Sequence, residues 1–304
     1  METYQKPISV LEPVGEALAK TKILLFKPFN LEKWFIIGFC AWLANLISKG
    51  IRPSFNFISR TGNSQEVSQE ISQVIQTIKE NILLIGIMLL IIIAIVVVLL
   101  WLSSRGHFMF VDCLAKNKGE IVNPWKNYKQ QGNSLFWFRL ILGIISTFAM
   151  AIFCIPMVFM ILALRSKNLT WEAFIAITVL IGLVMFGLTI FLEIVRVLTI
   201  DFVVPIMYLN KIKIIDAWRR YLPILGDHFW ITMLYLILKV VVFMAVGIIK
   251  IIVFLIGCCM CCASFLLFIP YIGTVIYLPF FSFLRLYPLC FLKQFGSEYD
   301  VFAV

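Results

Sequence analysis

The sequence predicts an all-α, polytopic membrane protein with about six transmembrane helices. Its 304 residues are 62% hydrophobic and 14% charged, with a mean hydropathy of +1.00. A soluble domain carries about a quarter charged residues. The apolar residues also form runs long enough to cross a bilayer, and these runs extend over most of the chain. We therefore treat residues 1–304 as a single membrane domain.

Six apolar runs are the predicted spans. They are residues 31–48, 81–102, 135–164, 171–197, 229–257 and 264–293. The last two come from one apolar stretch, which is long enough for two long helices or three ordinary ones. We favour two, which gives six spans; three would give seven and would move the C-terminus across the membrane. Residues 49–80 form the longest polar segment.

The distribution of Lys and Arg predicts the orientation. Segments 1–33, 103–134 and 196–228 carry five each and the tail carries Lys293, whereas 49–80 carries four and 164–171 carries two. Because cytoplasmic loops are enriched in Lys and Arg, the first group is expected in the cytoplasm. Both termini then lie in the cytoplasm, and segment 49–80 faces outward.

Two polar segments repeat one pattern, residues 117–137 and residues 210–230. Trp125 and Trp218 each follow an Asn-Lys pair, with the Asn eight residues earlier. In both copies a Tyr comes three residues after that Trp and a second Trp comes twelve after it. Because two spans separate the copies, the pattern predicts an internal duplication in parallel orientation, each unit being span, interfacial helix, span.

Each copy is expected to form an amphipathic helix in the headgroup plane, where aromatic rings anchor it and cations meet lipid phosphate. The membrane-interface residues are Trp125, Lys126, Tyr128, Trp218, Arg219, Arg220 and Tyr221. The expected partners are anionic lipid headgroups on the cytoplasmic side. Such anchors are common, so a purely structural role stays equally open. The net charge of +10 is not expected to bind nucleic acid, because no polar basic domain accompanies it.

Lys239 lies ten residues into the fifth span, roughly 15 Å along the helix. A lone Lys at that depth needs a partner or a hydrated cavity. Glu193 is the nearest acid by depth, while Glu193 and Arg196 are three residues apart and could pair. Asp201 lies at the same end of the fourth span. The functional interpretation is a relay or a headgroup cavity; we favour the structural one, a buried pair that fixes two spans together.

Other polar groups give weaker signals. Arg139, Lys250 and Arg285 are expected to snorkel towards the headgroups. His107 and His228 lie at span borders and lack the spacing of a catalytic or metal motif. The sequence therefore does not indicate an enzyme; a lipid-acting enzyme would need a cluster that only tertiary structure assembles.

A cysteine cluster is the most unusual local sequence, consisting of Cys258, Cys259, Cys261 and Cys262. Thiolates bind soft metals such as Cu(I) or Zn, and these cysteines are weak candidates for such a site. Adjacent cysteines on a helix point in different directions, however, and a free Cys is also a small hydrophobe. We favour packing and predict no cofactor.

Several short motifs together carry a family resemblance. They are residues 26–34, Asp216–Tyr221, Cys258–Cys262, residues 269–274 and residues 292–299. In these the chain resembles an uncharacterised family of bacterial multi-pass membrane proteins, similar in layout to the membrane domain attached to some glycerophosphodiester phosphodiesterases. The resemblance implies a bacterial inner-membrane protein with six spans. It supplies no catalytic residues and does not cover the phosphodiesterase domain, so that activity is not implied.

The predicted function is a non-enzymatic inner-membrane scaffold or lipid-interacting accessory protein. A second copy of the chain or another membrane protein is a possible partner. The alternative is a small-solute or lipid transporter, or flippase, with a polar cavity near Lys239 and Glu193.

Overall fold

The computed structural model describes residues 8–47, 76, 79–165, 170–259 and 269–303, and every regular element in these ranges is helical. The helices are α1 (Glu12–Phe26), α2 (Leu31–Ala44), α3 (Ile82–Ala115), α4 (Val122–Asn127), α5 (Lys129–Arg165), α6 (Trp171–Leu198), α7 (Val204–Asn210), α8 (Ile214–Asp227), α9 (Phe229–Cys259), α10 (Pro270–Ile276) and α11 (Leu278–Leu292). A π turn, Thr199–Val203, joins α6 to α7, and 3₁₀ turns follow α11. The predicted outward segment 49–80 lies outside the described residues except for 76, 79 and 80.

Four of the described helical segments are long and apolar enough to cross a membrane. They are Ile82–Ala115, Lys129–Cys154, Glu172–Asn210 and Phe229–Ile256. The all-α class is confirmed, and these helices indicate a membrane protein. Shorter helices stand at the predicted first and sixth spans, with 14 residues in α2, 7 in α10 and 15 in α11. A full crossing needs about 20, so the count of six spans stays a prediction.

The long helices have an exposed apolar part and a part that is packed inside the protein. In α3 every residue from 82 to 95 is exposed, whereas every residue from 103 to 114 is buried. A helix that is apolar on all sides is suited to a lipid environment. We call the buried part of the molecule the packed end; it contains residues 103–114, the π turn, α7 and most of α11.

The two terminal segments meet at the packed end. The Ser9 N–H donates to Gln294 Oε1 at 2.8 Å, and Gln294 Nε2 donates back to the Ser9 carbonyl at 2.9 Å. The Tyr287 hydroxyl donates to the Val10 carbonyl at 3.4 Å. The described parts of the two terminal segments therefore lie next to each other, and the membrane face on which they lie stays a prediction.

The two motif segments also contact each other. Gln131 Nε2 donates to the Lys211 carbonyl at 2.7 Å, and the Ile214 N–H donates to Ser134 Oγ at 3.1 Å. Asn117 and Lys211 both adopt a left-handed conformation, with φ of 55° and 53°, just after α3 and α7. The chain thus takes a left-handed turn near the start of each copy, one position later in the second copy than in the first. The duplication itself, and the membrane face on which this end lies, stay predictions.

Helices α2 and α3 touch through their backbones at Gly106. A Cβ at this position would lie 2.6 Å from Ala44 N and 2.7 Å from Leu43 C, well inside van der Waals contact. Only glycine allows so close an approach. On the neighbouring turn the Ser103 hydroxyl donates to the Ala44 carbonyl at 2.8 Å. The end of α2 is therefore fixed against the packed part of α3.

Pro205 accounts for the π turn. Proline has no N–H, and its ring collides with the carbonyl four residues earlier, which here belongs to Asp201. The helix widens over residues 199–203, and the Val204 N–H bonds to the Thr199 carbonyl five residues back. The widened turn carries a buried acid and a buried aromatic ring in consecutive positions, Asp201 and Phe202.

Candidate functional site

Asp201 of the π turn is the partner of Lys239. The Lys239 Nζ pairs with Asp201 Oδ2, and the Tyr235 hydroxyl donates to the same oxygen at 2.8 Å. The Asp201 side chain is 4% exposed and that of Lys239 is 22% exposed. The expected partnership of Lys239 with Glu193 is therefore wrong. Glu193 lies almost two turns before the π turn, whereas Asp201 lies within it and bonds across to α9.

Glu193 and Arg196 form a separate pair on the surface of α6. Arg196 Nη1 lies 2.9 Å from Glu193 Oε2, and their side chains are 47% and 59% exposed. This i,i+3 pairing confirms what their spacing indicates. Of the four polar candidates in the spans, two form a buried pair between helices and two form an exposed pair within one helix.

The two motif tyrosines are core residues and not lipid anchors. Tyr128 lies between Phe108 and Tyr208, with ring centroids 6.0 and 4.9 Å away, and Tyr221 stacks on Phe202 at 5.2 Å. They are 7% and 2% exposed. Burial raises the pKa of both phenols, because the charged form loses its water. The tyrosine of each motif segment is therefore covered by protein, whereas the apolar residues Val122, Ile215 and Leu222 are exposed.

The first tryptophan of each motif copy is half-buried, and the second, Trp137 or Trp230, is exposed. Trp125 packs edge-to-face on Trp101, with ring centroids 5.7 Å apart. The Arg105 guanidinium lies 4.4 Å from the Trp101 centroid and 4.7 Å from the Trp125 centroid. Trp218 packs against Phe138 at 6.4 Å. The motif cations are exposed, as expected of residues that face headgroups or water; they are Lys126, Arg219 and Arg220.

Arg285 is buried in α11, whereas it was expected to extend towards the headgroups. It is 6% exposed, and its Nη1 donates to the Ile200 carbonyl of the π turn at 2.6 Å. Within the described part of the chain its Nε and Nη2 have no hydrogen-bond partner. Ser282, three residues earlier, is fully buried and its hydroxyl also has no partner there. Unpaired buried donors cost about 1–3 kcal/mol each, so this arrangement needs an explanation.

Two further basic side chains lie nearby. His107 of α3 is 4% exposed and interacts electrostatically with both Arg139 and Arg285. Its Nε2 has no partner among the described residues. Arg139 of α5 is half-buried and donates to Ser103 Oγ at 3.1 Å and Ser104 Oγ at 3.2 Å. His107 of α3 thus interacts with basic groups of both α5 and α11, and Arg285 links this group to the π turn. Their separation in the sequence hides this cluster.

An apolar groove lies beside α2, outside the buried polar groups. It consists of two adjoining hollows of about 340 and 500 Å³ that share Phe39 and Ile121. The first is lined by Phe39, Leu43, Leu102, Met109, Ile121, Val122, Trp125 and Lys126, and the second by Phe35, Ile36, Phe39, Trp42, Ile121 and Tyr271. Lys126 is the only ionised group in these walls. The groove combines aromatic walls with one cation at its rim.

The predicted metal candidates are not tested by these contacts. Cys258 and Cys259 end α9, and their side chains are not described; Cys261 and Cys262 lie outside the described residues. Among the described side chains, no three His, Cys, Asp or Glu groups lie together as metal ligands would.

Comparison with known proteins gives a family and no activity. No curated protein and no solved structure matches the chain. The similarity in layout to phosphodiesterase-attached membrane domains stays a prediction. One family model, described as a family of unknown function (DUF7544), matches residues 8–270. The chain therefore belongs to this family, in agreement with its resemblance to an uncharacterised one.

Proposed function

We propose that this protein is a non-enzymatic, lipid-interacting membrane protein that binds one acyl chain of an anionic lipid in the groove beside α2. The observation that carries the proposal is the composition of the groove. Its volume falls in the range of small-molecule sites, and its walls consist of aliphatic and aromatic side chains apart from Lys126.

Lys126 supports an anionic headgroup at the end of that chain. It lies at the rim of the groove, is exposed, and is next to Trp125. At a membrane interface a Lys side chain attracts anionic headgroups, and a Trp side chain lies at the level of the headgroups. One lipid molecule could thus place an acyl chain in the apolar groove and its phosphate beside the Lys126 ammonium.

The first half of α3 supports an accessory or scaffold role. Residues 82–95 are exposed on every face, so lipids or a second copy of the chain can cover them. We place this bacterial-type protein in the inner membrane with both termini in the cytoplasm, in agreement with the Lys and Arg distribution.

The test fills the groove. Val122 is exposed in the groove wall, and Val122→Trp should reduce the anionic phospholipid retained per chain after detergent washing. Val179→Trp is the matched control, because Val179 is similarly exposed on α6. Lys126→Gln should weaken retention of anionic but not zwitterionic lipid, with Lys129→Gln as its control. Equal retention by Val122→Trp and Val179→Trp would refute the proposal.

The alternative is a lipid or small-solute transporter. The ion pair of Asp201 and Lys239 between apolar helices is the observation that favours it, since charges at such positions mark transport paths in many membrane proteins. Lys239→Leu in liposomes should then abolish phospholipid or solute flux while the protein stays folded. In this alternative Asp201 replaces Glu193 as the acid of the path. An unchanged flux in Lys239→Leu would refute it.

A further inference from the structure

The charges around the π turn do not balance. Asp201 interacts with Lys239 and with Arg285, so one carboxylate faces two cations. Arg139 adds a third cation, which bonds only to the neutral hydroxyls of Ser103 and Ser104 within the described residues. The excess is two positive charges. Arginine cannot lose its proton in a protein, so deprotonation does not relieve this excess.

The unpaired donors belong to the same region. Arg285 uses one nitrogen on the Ile200 carbonyl and leaves Nε and Nη2 free in the described part of the chain. Nε and Nη2 point in parallel, and this edge of a guanidinium matches two oxygens of one phosphate or carboxylate. Ser282 adds a hydroxyl one turn away on α11, and His107 adds Nε2 from α3. All three side chains are more than nine-tenths buried.

We propose that these residues form an anion site that binds a phosphate group, carried on a lipid headgroup or free in solution. Arg285 donates through Nε and Nη2, Ser282 through its hydroxyl, and His107 through the tautomer that bears a proton on Nε2. Inorganic phosphate or a phosphate monoester carries about −1.5 to −2 at neutral pH, which matches the excess of two positive charges. A phosphodiester headgroup carries a single negative charge and would neutralise half of this excess. The site uses none of the residues that line the apolar groove, so it goes beyond the proposed function and can fail independently of it.

The surroundings of Arg139 indicate how the anion enters. Arg139 is half-buried, and it interacts electrostatically with Arg196 on α6. Arg196 and its partner Glu193 are exposed. We therefore expect the anion to enter beside Arg139, between α5 and α6, where the exposed cation Arg196 lies.

The test compares two arginine variants of the full chain in neutral detergent. Arg285→Met removes the buried guanidinium, and Arg219→Met is the matched control on a side chain that is 77% exposed. Arg285→Met removes one cation from a region with more cations than anions, so it is expected to fold although the Ile200 carbonyl loses its donor. Two quantities are measured: anionic phospholipid retained per chain by native mass spectrometry, and the rise in melting temperature caused by inorganic phosphate at constant ionic strength in chloride.

A lipid source predicts that Arg285→Met retains one anionic phospholipid fewer per chain than the wild type and Arg219→Met. A lipid in the groove is identified separately, because Val122→Trp should remove it and Arg285→Met should not. A free anion predicts a rise in melting temperature with phosphate for the delipidated wild type, and apparent affinity about tenfold or more weaker in Arg285→Met, as expected for losing hydrogen bonds to a charged group. Ser282→Ala should weaken the same response several-fold, which decides the matter if Arg285→Met fails to fold. The proposal is overturned if the wild type neither retains an anionic phospholipid nor gains melting temperature with phosphate. It is also overturned if Arg285→Met behaves like the wild type, or, where that variant does not fold, if Ser282→Ala does.

Discussion

Two buried aspartates of this protein each bind one tyrosine and one lysine, but their surroundings differ. Asp112 accepts from the Tyr208 hydroxyl at 2.9 Å and pairs with Lys116 at 2.7 Å. Asp201 accepts from Tyr235 and pairs with Lys239. Each centre thus contains one carboxylate, one phenol and one ammonium, and Asp201 also interacts with the more distant Arg285. Their stability contributions should nevertheless differ, because the two lysines have different access to water.

The lysines differ in origin and exposure. Lys116 is one turn from Asp112 in the sequence and its side chain is 36% exposed, so it can turn to water if the carboxylate is lost. Lys239 comes from another helix, 38 residues away, and is 22% exposed among apolar side chains. The first centre is a local contact at the end of α3. The second joins the π turn to α9, and when it breaks the ammonium of Lys239 is left unpaired with little access to water.

The largest effect is expected for Asp201→Ala. It leaves Lys239 unpaired and Tyr235 without its acceptor, and the free energy of unfolding should fall by about 3 kcal/mol or more. Unfolding in mixed micelles with rising dodecyl sulfate measures this. Asp216→Ala is the control, since the Asp216 side chain is 54% exposed and its pair with Arg219 is 3.9 Å long. Adding Lys239→Met to Asp201→Ala should restore most of the loss; no recovery would show that the pair is not its cause.

A smaller effect is expected for Asp112→Asn. The amide oxygen can still accept from Tyr208, and Lys116 can reach water, so the loss should be about 1–2 kcal/mol. The same unfolding assay compares the two centres directly. A loss as large as that of Asp201→Ala would mean that Lys116 is not free to become hydrated, and the contrast between the centres would disappear.

An effect of similar size, about 1–2 kcal/mol, is expected for Lys116→Met, because the Asp112 side chain, 2% exposed, keeps the hydrogen bond from Tyr208 but loses its cation. The hydrogen bond to Asp112 raises the pKa of Lys116 above its ordinary value. A raised pKa in the folded state means that the contribution is present at neutral pH and is lost as pH rises through that value. The unfolding midpoints of wild type and Lys116→Met should therefore converge at alkaline pH. A difference that widens with pH would contradict the assigned pairing.

The features that depend on composition or short spacing could be predicted from the sequence. The fifth predicted span, 229–257, is close to α9, because an uninterrupted apolar run has only one way to bury its backbone groups in lipid. The pairing of Glu193 with Arg196 follows from a three-residue spacing on one helix. The exposure of Lys126 follows from its place on the polar face of the motif.

The site depends on contacts between distant segments, and these the sequence hides. Tyr221 has the spacing of a lipid anchor, but its ring meets Phe202, which the π turn presents. Pro205 was the available signal for that turn, since its ring excludes a regular hydrogen bond to residue 201. Arg285 gave no signal, because a basic residue near a span end usually extends to the headgroups.

The backbone contact at Gly106 has a consequence for the order of membrane assembly. Helix α2 has 14 residues and rises about 21 Å, short of the roughly 30 Å hydrocarbon core. Its end is fixed by the close approach of Leu43 and Ala44 to Gly106, and by the hydrogen bond from Ser103. During synthesis α2 leaves the ribosome before α3, but the surface that holds it belongs to α3. The earlier segment therefore reaches its final place only after the later one has been inserted.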